Sequence, residues 1–227
     1  MKKIRTLAVT LSWVFLLFLC LLFLRENKSA EVFHIVQERN VQELPKVALT
    51  FDDGPSRKYT PKLLEGLRER GILATFFLTG KNIEGNEELV SRIQEEGHLI
   101  GNHTYNHVCL NQISKIRAKE EIEKTSNKIY EITGEYPDFI RPPFGEWRQD
   151  IELSVDMLPV FWDIDTLDWK SKSVSGVLEI VESQIHENAI ILMHDGYETS
   201  VEAAFKVVDL LKEKGYEFVT VDRLLIL

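Results

Sequence analysis

Polar and apolar residues fall into blocks along this chain. Residues 7–24 read LAVTLSWVFLLFLCLLFL, without one charge. Extended back to Ile4, the run approaches the ~20 residues with which a helix spans ~30 Å of hydrocarbon. Residues 26–45 are mostly polar and end at Pro45, the pattern of a stalk. From Lys46 onward, short apolar runs alternate with helical periods. Runs at 47–51, 74–78, 99–101, 139–140, 159–162, 189–193 and 216–221 predict strands, several of them stopped by Asp, Asn, Gly or Pro. Apolar residues recurring every three or four positions predict helices at 59–70, 86–96, 114–133, 174–186 and 201–214. Repeated strand–loop–helix units imply a parallel sheet. About seven strands are too few for an eight-unit barrel, which leaves a distorted or incomplete (β/α) barrel or a doubly wound open sheet.

The basic head Lys2, Lys3 and Arg5 precedes the apolar run, which favours an N-terminus in the cytoplasm and a body outside. The expected organisation is therefore a head and membrane anchor over 1–25, a stalk over 26–45 and a catalytic body over 46–227. The alternative is a cleaved signal peptide and a secreted body. Against it, the run ends in bulky Leu22, Phe23 and Leu24, and Lys28-Ser29-Ala30 makes a poor cleavage site. The chain has 27 basic and 36 acidic residues, a net charge of −9. All the acidic residues lie beyond position 25, so the body is more acidic still. That balance argues against nucleic acid as a partner. Of the two cysteines, Cys20 sits in the apolar run and Cys109 in the body, so no disulfide within the body is available. No obligate protein partner is evident.

Residues capable of chemistry follow the apolar runs: Asp52-Asp53, His103 and His107, Arg141, and His194. In a parallel α/β fold the C-terminal strand ends share one face, so these distant positions converge. The His-x₃-His spacing can bring two imidazoles to one ion, and Asp53 would complete a three-ligand set with open positions. Asp52 would then be free to act as a base. Arg141 could hold Asp52 ionised. The segment Asp165-Thr166-Leu167-Asp168-Trp169 offers a carboxylate to orient His194 and raise its pKa. The bland alternatives are a turn at Asp52-Asp53-Gly54-Pro55, loop or core histidines, and surface ion pairs. Trp169, Trp162, Phe144 and Trp147 suit either a core or a sugar-binding groove.

Five stretches together resemble the ordered motifs of the polysaccharide deacetylases, the NodB-like domains of carbohydrate esterase family 4. They are Thr50-Phe51-Asp52-Asp53-Gly54-Pro55, His103-Thr104-x-x-His107, Arg141-Pro142-Pro143-Phe144-Gly145, Asp165-x-x-Asp168-Trp169 and Leu192-x-His194. The resemblance covers 46–227. It implies a distorted (β/α) barrel of about seven parallel strands, and one divalent metal, Zn²⁺ or Co²⁺, held by Asp53, His103 and His107. It implies Asp52 as catalytic base, Arg141 as its partner, His194 as general acid and Asp168 as the carboxylate that tunes that acid. The backbone N–H near Phe144 would be an oxyanion donor, with Trp169 and Leu192 walling an acetate pocket. Val108 and Phe144 depart from the Pro and Tyr common in the family. The implied activity is removal of N-acetyl groups from an amino-sugar polymer. With an anchored body outside the membrane, the expected substrate is an extracellular glycan, first of all peptidoglycan N-acetylglucosamine. Alternatives are N-acetylmuramic acid, chitin fragments, another envelope or biofilm polymer, acetylated xylan, and, from a different class, a silent glycan-binding module.

Overall fold

The computed structural model describes residues 44–225; the apolar run and nearly all of the expected stalk lie outside the described residues. Among the described residues, no helix is long and apolar enough to cross a membrane. The strands are β1 (Lys46–Asp52), β2 (Thr75–Leu78), β3 (Leu99–Asn102), β4 (Phe139–Ile140), β5 (Leu158–Pro159), β6 (Ile164–Asp165), β7 (Ala189–His194) and β8 (Glu217–Phe218). They pair in parallel in the order β5-β4-β3-β2-β1-β7-β6, with β8 beside the start of β1. Laid flat, seven strands at ~4.8 Å spacing would hold β5 and β6 about 29 Å apart. Yet only residues 160–163 join those two strands, and five residue steps reach at most about 18 Å. The sheet therefore curls into a half-barrel. Among the described residues, no ladder pairs β5 with β6 across the seam.

The two faces of β1 separate the core from the site. Val47, Leu49 and Phe51 point outward into one apolar cluster. They meet Leu63, Leu64 and Leu67 of α1 (Thr60–Glu69) and Val207 and Leu211 of a long C-terminal helix there. Ala48 points inward to Phe77, Phe139, Val160 and Val221, which plug the concave side. Strand alternation puts Thr50 and Asp52 on this inward face, above the plug. Both are buried, at 0% and 3% exposure.

The remaining helices are α2 (Gly80–Ile83), α3 (Glu87–Glu95), α4 (Lys115–Thr133), α5 (Asp168–Ser171), α6 (Val174–Gln184), α7 (Glu198–Glu213) and α8 (Val221–Leu225). α4 begins where the sequence predicts: Ser114 caps it by accepting from the Arg117 N–H. It ends at Gly134, whose φ of +76° gives the left-handed turn that glycine adopts without steric cost. Two predicted strands are corrected. The run expected at 159–162 pairs only through Leu158–Pro159, and the chain then crosses the seam. The closing strand expected at 216–221 stops at Phe218, and Val221 opens α8 by donating its N–H to Thr75 Oγ1 at 3.1 Å. Apolar character alone does not distinguish a strand from a segment that plugs the end of a curled sheet.

Candidate active site

Asp52 is the last residue of β1, and it stands in register with His194, the last of β7. The two side chains predicted as base and acid thus emerge side by side from neighbouring strands. Asp53, one residue on, turns away with a φ of +71°. Thr104, His107 and Phe144 also hold positive φ, between +55° and +62°. Such angles cost a non-glycine residue ~1–2 kcal/mol. Clustered here, they mark a site whose surroundings over-determine the backbone.

Asp53, His103 and His107 come together. Asp53 Oδ1 lies 3.5 Å from His103 Nε2 and 3.4 Å from His107 Nε2. Ligands ~2.0–2.1 Å from a tetrahedral zinc sit ~3.3–3.4 Å from one another, so these spacings suit such an ion. The three ligand atoms fall within 4.8 Å of one another. Asp53 Oδ1 is shielded from solvent and has no hydrogen-bond partner, an orphan that a cation would satisfy. His103 is held for the task. Its Nδ1 donates to the Arg141 carbonyl at 2.6 Å, which leaves the Nε2 lone pair facing Asp53. Burial pushes its pKa down to about 3, so the ring is neutral, as a ligand must be.

Arg141 is wholly buried and fills the seam of the half-barrel. Its Nη1 donates to Asp52 Oδ1 at 2.8 Å and to Thr50 Oγ1 at 2.6 Å. Nη2 and Nε donate to the carbonyls of Phe161 (2.9 Å) and Val160 (3.3 Å), the residues that cross between β5 and β6. One residue thus closes the seam and grips Asp52 through its side chain, while its backbone carbonyl orients His103. Arg141 pulls the Asp52 pKa down as expected, yet the net shift is upward. Burial raises it, and the pull of Arg141 and His194 offsets that only in part. The depth of the pair, which the sequence does not display, decides the sign.

His194 Nδ1 meets Asp168 Oδ1 at 2.9 Å, and the His194 backbone N–H donates to Asp168 Oδ2, also at 2.9 Å. The carboxylate therefore fixes both the ring and its backbone. Asp168 is 1% exposed and opens α5. Burial alone would lower the His194 pKa, but the hydrogen bond and charge of Asp168 outweigh it and raise the value to about 8. Of the two aspartates in the segment, the structure selects Asp168; Asp165 Oδ1 instead accepts the Leu167 N–H at 3.0 Å.

Asp52, His194 and the three candidate ligands all line one cavity of about 430 Å³. Phe144, Trp162 and Trp169 wall it, and Leu192 lies at its base, two residues before His194 on β7. Phe144 stands edge-on to His107, ring centres 4.8 Å apart, and is largely exposed. Trp147 instead packs beside Leu110 and Ile122, away from this cavity. Sequence reasoning placed Thr50 in a motif but gave it no role; it is the second acceptor of Arg141, as its place two residues before Asp52, on the same inward face, allows. Tyr197, which lines the cavity from the loop before α7, was missed and has no distinguishing pattern. Asp195, 1% exposed, accepts from the Thr60 hydroxyl and abuts Gly54, bracing the loop after Asp53.

Comparison with known proteins agrees with this geometry. Residues 26–159 match the family model described as polysaccharide deacetylase. The chain is 37% identical over 209 residues to the peptidoglycan-N-acetylglucosamine deacetylase PgdA of Listeria monocytogenes, covering 87% of this chain and 45% of that protein. It is 35% identical over 203 residues to the peptidoglycan-N-acetylmuramic acid deacetylase PdaC of Bacillus subtilis, covering 88% and 44%. The chain thus spans less than half the length of these two relatives. The solved structure of peptidoglycan deacetylase PdaC from Bacillus subtilis superposes with a TM-score of 0.77 at 34% identity, covering 80% of this chain and 90% of that one. With its curled parallel sheet and a matching family model over more than half its length, this chain belongs to the polysaccharide deacetylase family.

Proposed function

We propose that the chain is a metal-dependent hydrolase that removes the N-acetyl group from an amino sugar of peptidoglycan, N-acetylglucosamine first, releasing acetate. The observation that carries this reading is the placement of a buried carboxylate and an imidazole raised to about 8 on adjacent strand ends, in one cavity with an Asp-His-His ligand set. A pure glycan-binding module has no need of all three.

A divalent ion, for which zinc is the choice that best suits two imidazoles and a carboxylate, would supply Lewis acidity toward the acetyl carbonyl and the attacking water. Asp52 takes the proton of that water as it attacks the carbonyl carbon. Arg141 keeps the carboxylate oriented, leaving Oδ2 for the proton. The backbone N–H at Phe144 donates to the oxyanion as charge develops there. His194, held at Nδ1 by Asp168, delivers its Nε2 proton to the leaving sugar nitrogen. The carbon–nitrogen bond breaks, acetate departs and a glucosamine amine remains. Trp169 and Leu192 exclude water around the acetyl methyl.

The relatives named for N-acetylglucosamine and for N-acetylmuramic acid are similar to this chain to nearly the same degree, which supports N-acetylmuramic acid as the second reading. The uncharged run at 7–24 after a basic head supports an anchored enzyme acting outside the plasma membrane. Purified cell wall treated with the zinc-loaded protein should release acetate and expose free amines, which, labelled with dinitrofluorobenzene before acid hydrolysis, should be recovered on glucosamine. Muramic acid bearing the new amine would select the second reading, and no free amine on either sugar would reject both.

A further inference from the structure

The loop that carries both candidate imidazoles is held in an unusual backbone shape. Thr104 and His107 take φ of +62° and +55° within four residues of each other. Residues other than glycine keep such angles only where their surroundings over-determine them. α4 grips this loop at two points. At the first, Asn102 Nδ2 donates to the Ile122 carbonyl (2.8 Å) and to Ser126 Oγ (2.9 Å), while Asn102 Oδ1 accepts the Thr104 N–H at 2.8 Å. At the second, Glu121 commits both carboxylate oxygens to one residue. Oε2 accepts the Asn106 backbone N–H at 2.8 Å, and Oε1 accepts Asn106 Nδ2 at 2.9 Å.

Glu121 is 6% exposed. The cation nearest its carboxylate, Arg117, lies 3.7 Å from Oε1 with a largely exposed side chain. A carboxylate at that depth is expensive unless its oxygens are bonded. The apolar contacts that dock α4 come from Ala118, Ile122 and Ile129. Both oxygens serve the residue immediately before His107. We propose that Glu121 is a positioning residue for metal binding. Its two-point grip on Asn106 sets the His107 backbone so that Nε2 stands 3.4 Å from Asp53 Oδ1. This inference rests on the metal reading of Asp53, His103 and His107.

Glu121→Gln keeps the side chain's size but turns an amide donor toward the Asn106 donors, so one of the two bonds is lost. The double variant Asn106→Asp/Glu121→Gln exchanges donor and acceptor. The amide nitrogen introduced at position 121 can donate to the carboxylate introduced at position 106, and the amide oxygen can still accept the backbone N–H of residue 106. The experiment measures zinc affinity of the purified protein by competition with a chromophoric chelator, alongside the unfolding midpoint of the metal-free protein. Glu121→Gln should bind zinc about 10- to 100-fold more weakly, the loss typical when a group supporting a ligand is removed. Its metal-free midpoint should stay close to wild type, and the double variant should regain most of the affinity. Wild-type affinity in Glu121→Gln, or a loss that the double variant does not recover, overturns the proposal. Should Glu121→Gln fail to fold, Asn106→Asp, which opposes two carboxylates, takes its place in the same comparison. A wild-type protein that takes up no zinc overturns the metal reading and the grip with it; zinc uptake indifferent to these variants overturns the grip alone.

Discussion

Replacing Asp168 with Asn tests the acid directly. In the folded protein His194 titrates near 8 rather than 6.5, although its burial acts in the opposite direction. The hydrogen bond and charge of Asp168, 2.9 Å from Nδ1, are the main source of that rise. Without that charge, burial, the largest single influence, is opposed only by the more distant Asp52 and Asp53, and the imidazole should titrate at or below its ordinary 6.5. At pH 7.5 a group of pKa 8 is ~75% protonated, and one at or below 6.5 is under ~10%, so protonation alone lowers activity roughly eightfold. The assay is the pH profile of kcat/KM for acetate release from N-acetylglucosamine oligomers. The basic limb should move from near pH 8 to 6.5 or below, with activity partly restored toward pH 6 and zinc content unchanged. A bound cation lowers both limbs alike, so the difference between the two proteins carries the test. A basic limb that stays in place would refute the assignment of Asp168 as the group that keeps His194 protonated.

The same shift contributes to stability. A folded value raised above the unfolded 6.5 stabilises fully below pH 6.5, and the contribution fades as pH rises through 8. The advantage of wild type over His194→Gln in urea unfolding should therefore shrink by about 2 kcal/mol between pH 6 and pH 9. Arg141→Met strands the buried Asp52 carboxylate and the carbonyls of Val160 and Phe161. A loss of ~3–5 kcal/mol is expected in denaturant titration, and a loss below 1 kcal/mol would show that the seam closes without the ion pair. The His103→Ala/His107→Ala double variant should hold no stoichiometric zinc by elemental analysis. The full-length protein should fractionate with membranes and keep its N-terminus; a soluble form beginning near Glu31 would identify a cleaved signal.

The convergence of chemistry was legible in the sequence because each reactive residue follows an apolar run, and parallel strands aim those ends the same way. β1 shows this most clearly: outward Val47, Leu49 and Phe51 announce a strand, and Asp52 closes it on the other face. α4 was legible from its period, and the structure adds its Ser114 cap and its terminal Gly134. β5 was legible only in part, its apolar run continuing into the segment that crosses the seam, and β6 was not, because Ile164 stands alone between Asp163 and Asp165 and makes no apolar run. α5 was missed because four residues between left-handed Leu167 and Lys172 give no helical pattern. The sign of the Asp52 shift depends on depth within the curl, which local sequence does not encode. Glu121 reads as one more polar residue of a charged helix until the fold sets Asn106 against it.

Asp52 stands at the centre of the proposed mechanism, in which it acts as the base and its neighbours would hold the metal. The most direct test pairs acetate release with zinc content in Asp52→Asn, using cell wall or N-acetylglucosamine oligomers as substrate. Wild type should release acetate and a free amine in equal amounts. The variant should lose ~10²–10⁴-fold in turnover while binding zinc as wild type does. Turnover undiminished in the variant, or zinc lost together with activity, would contradict that role.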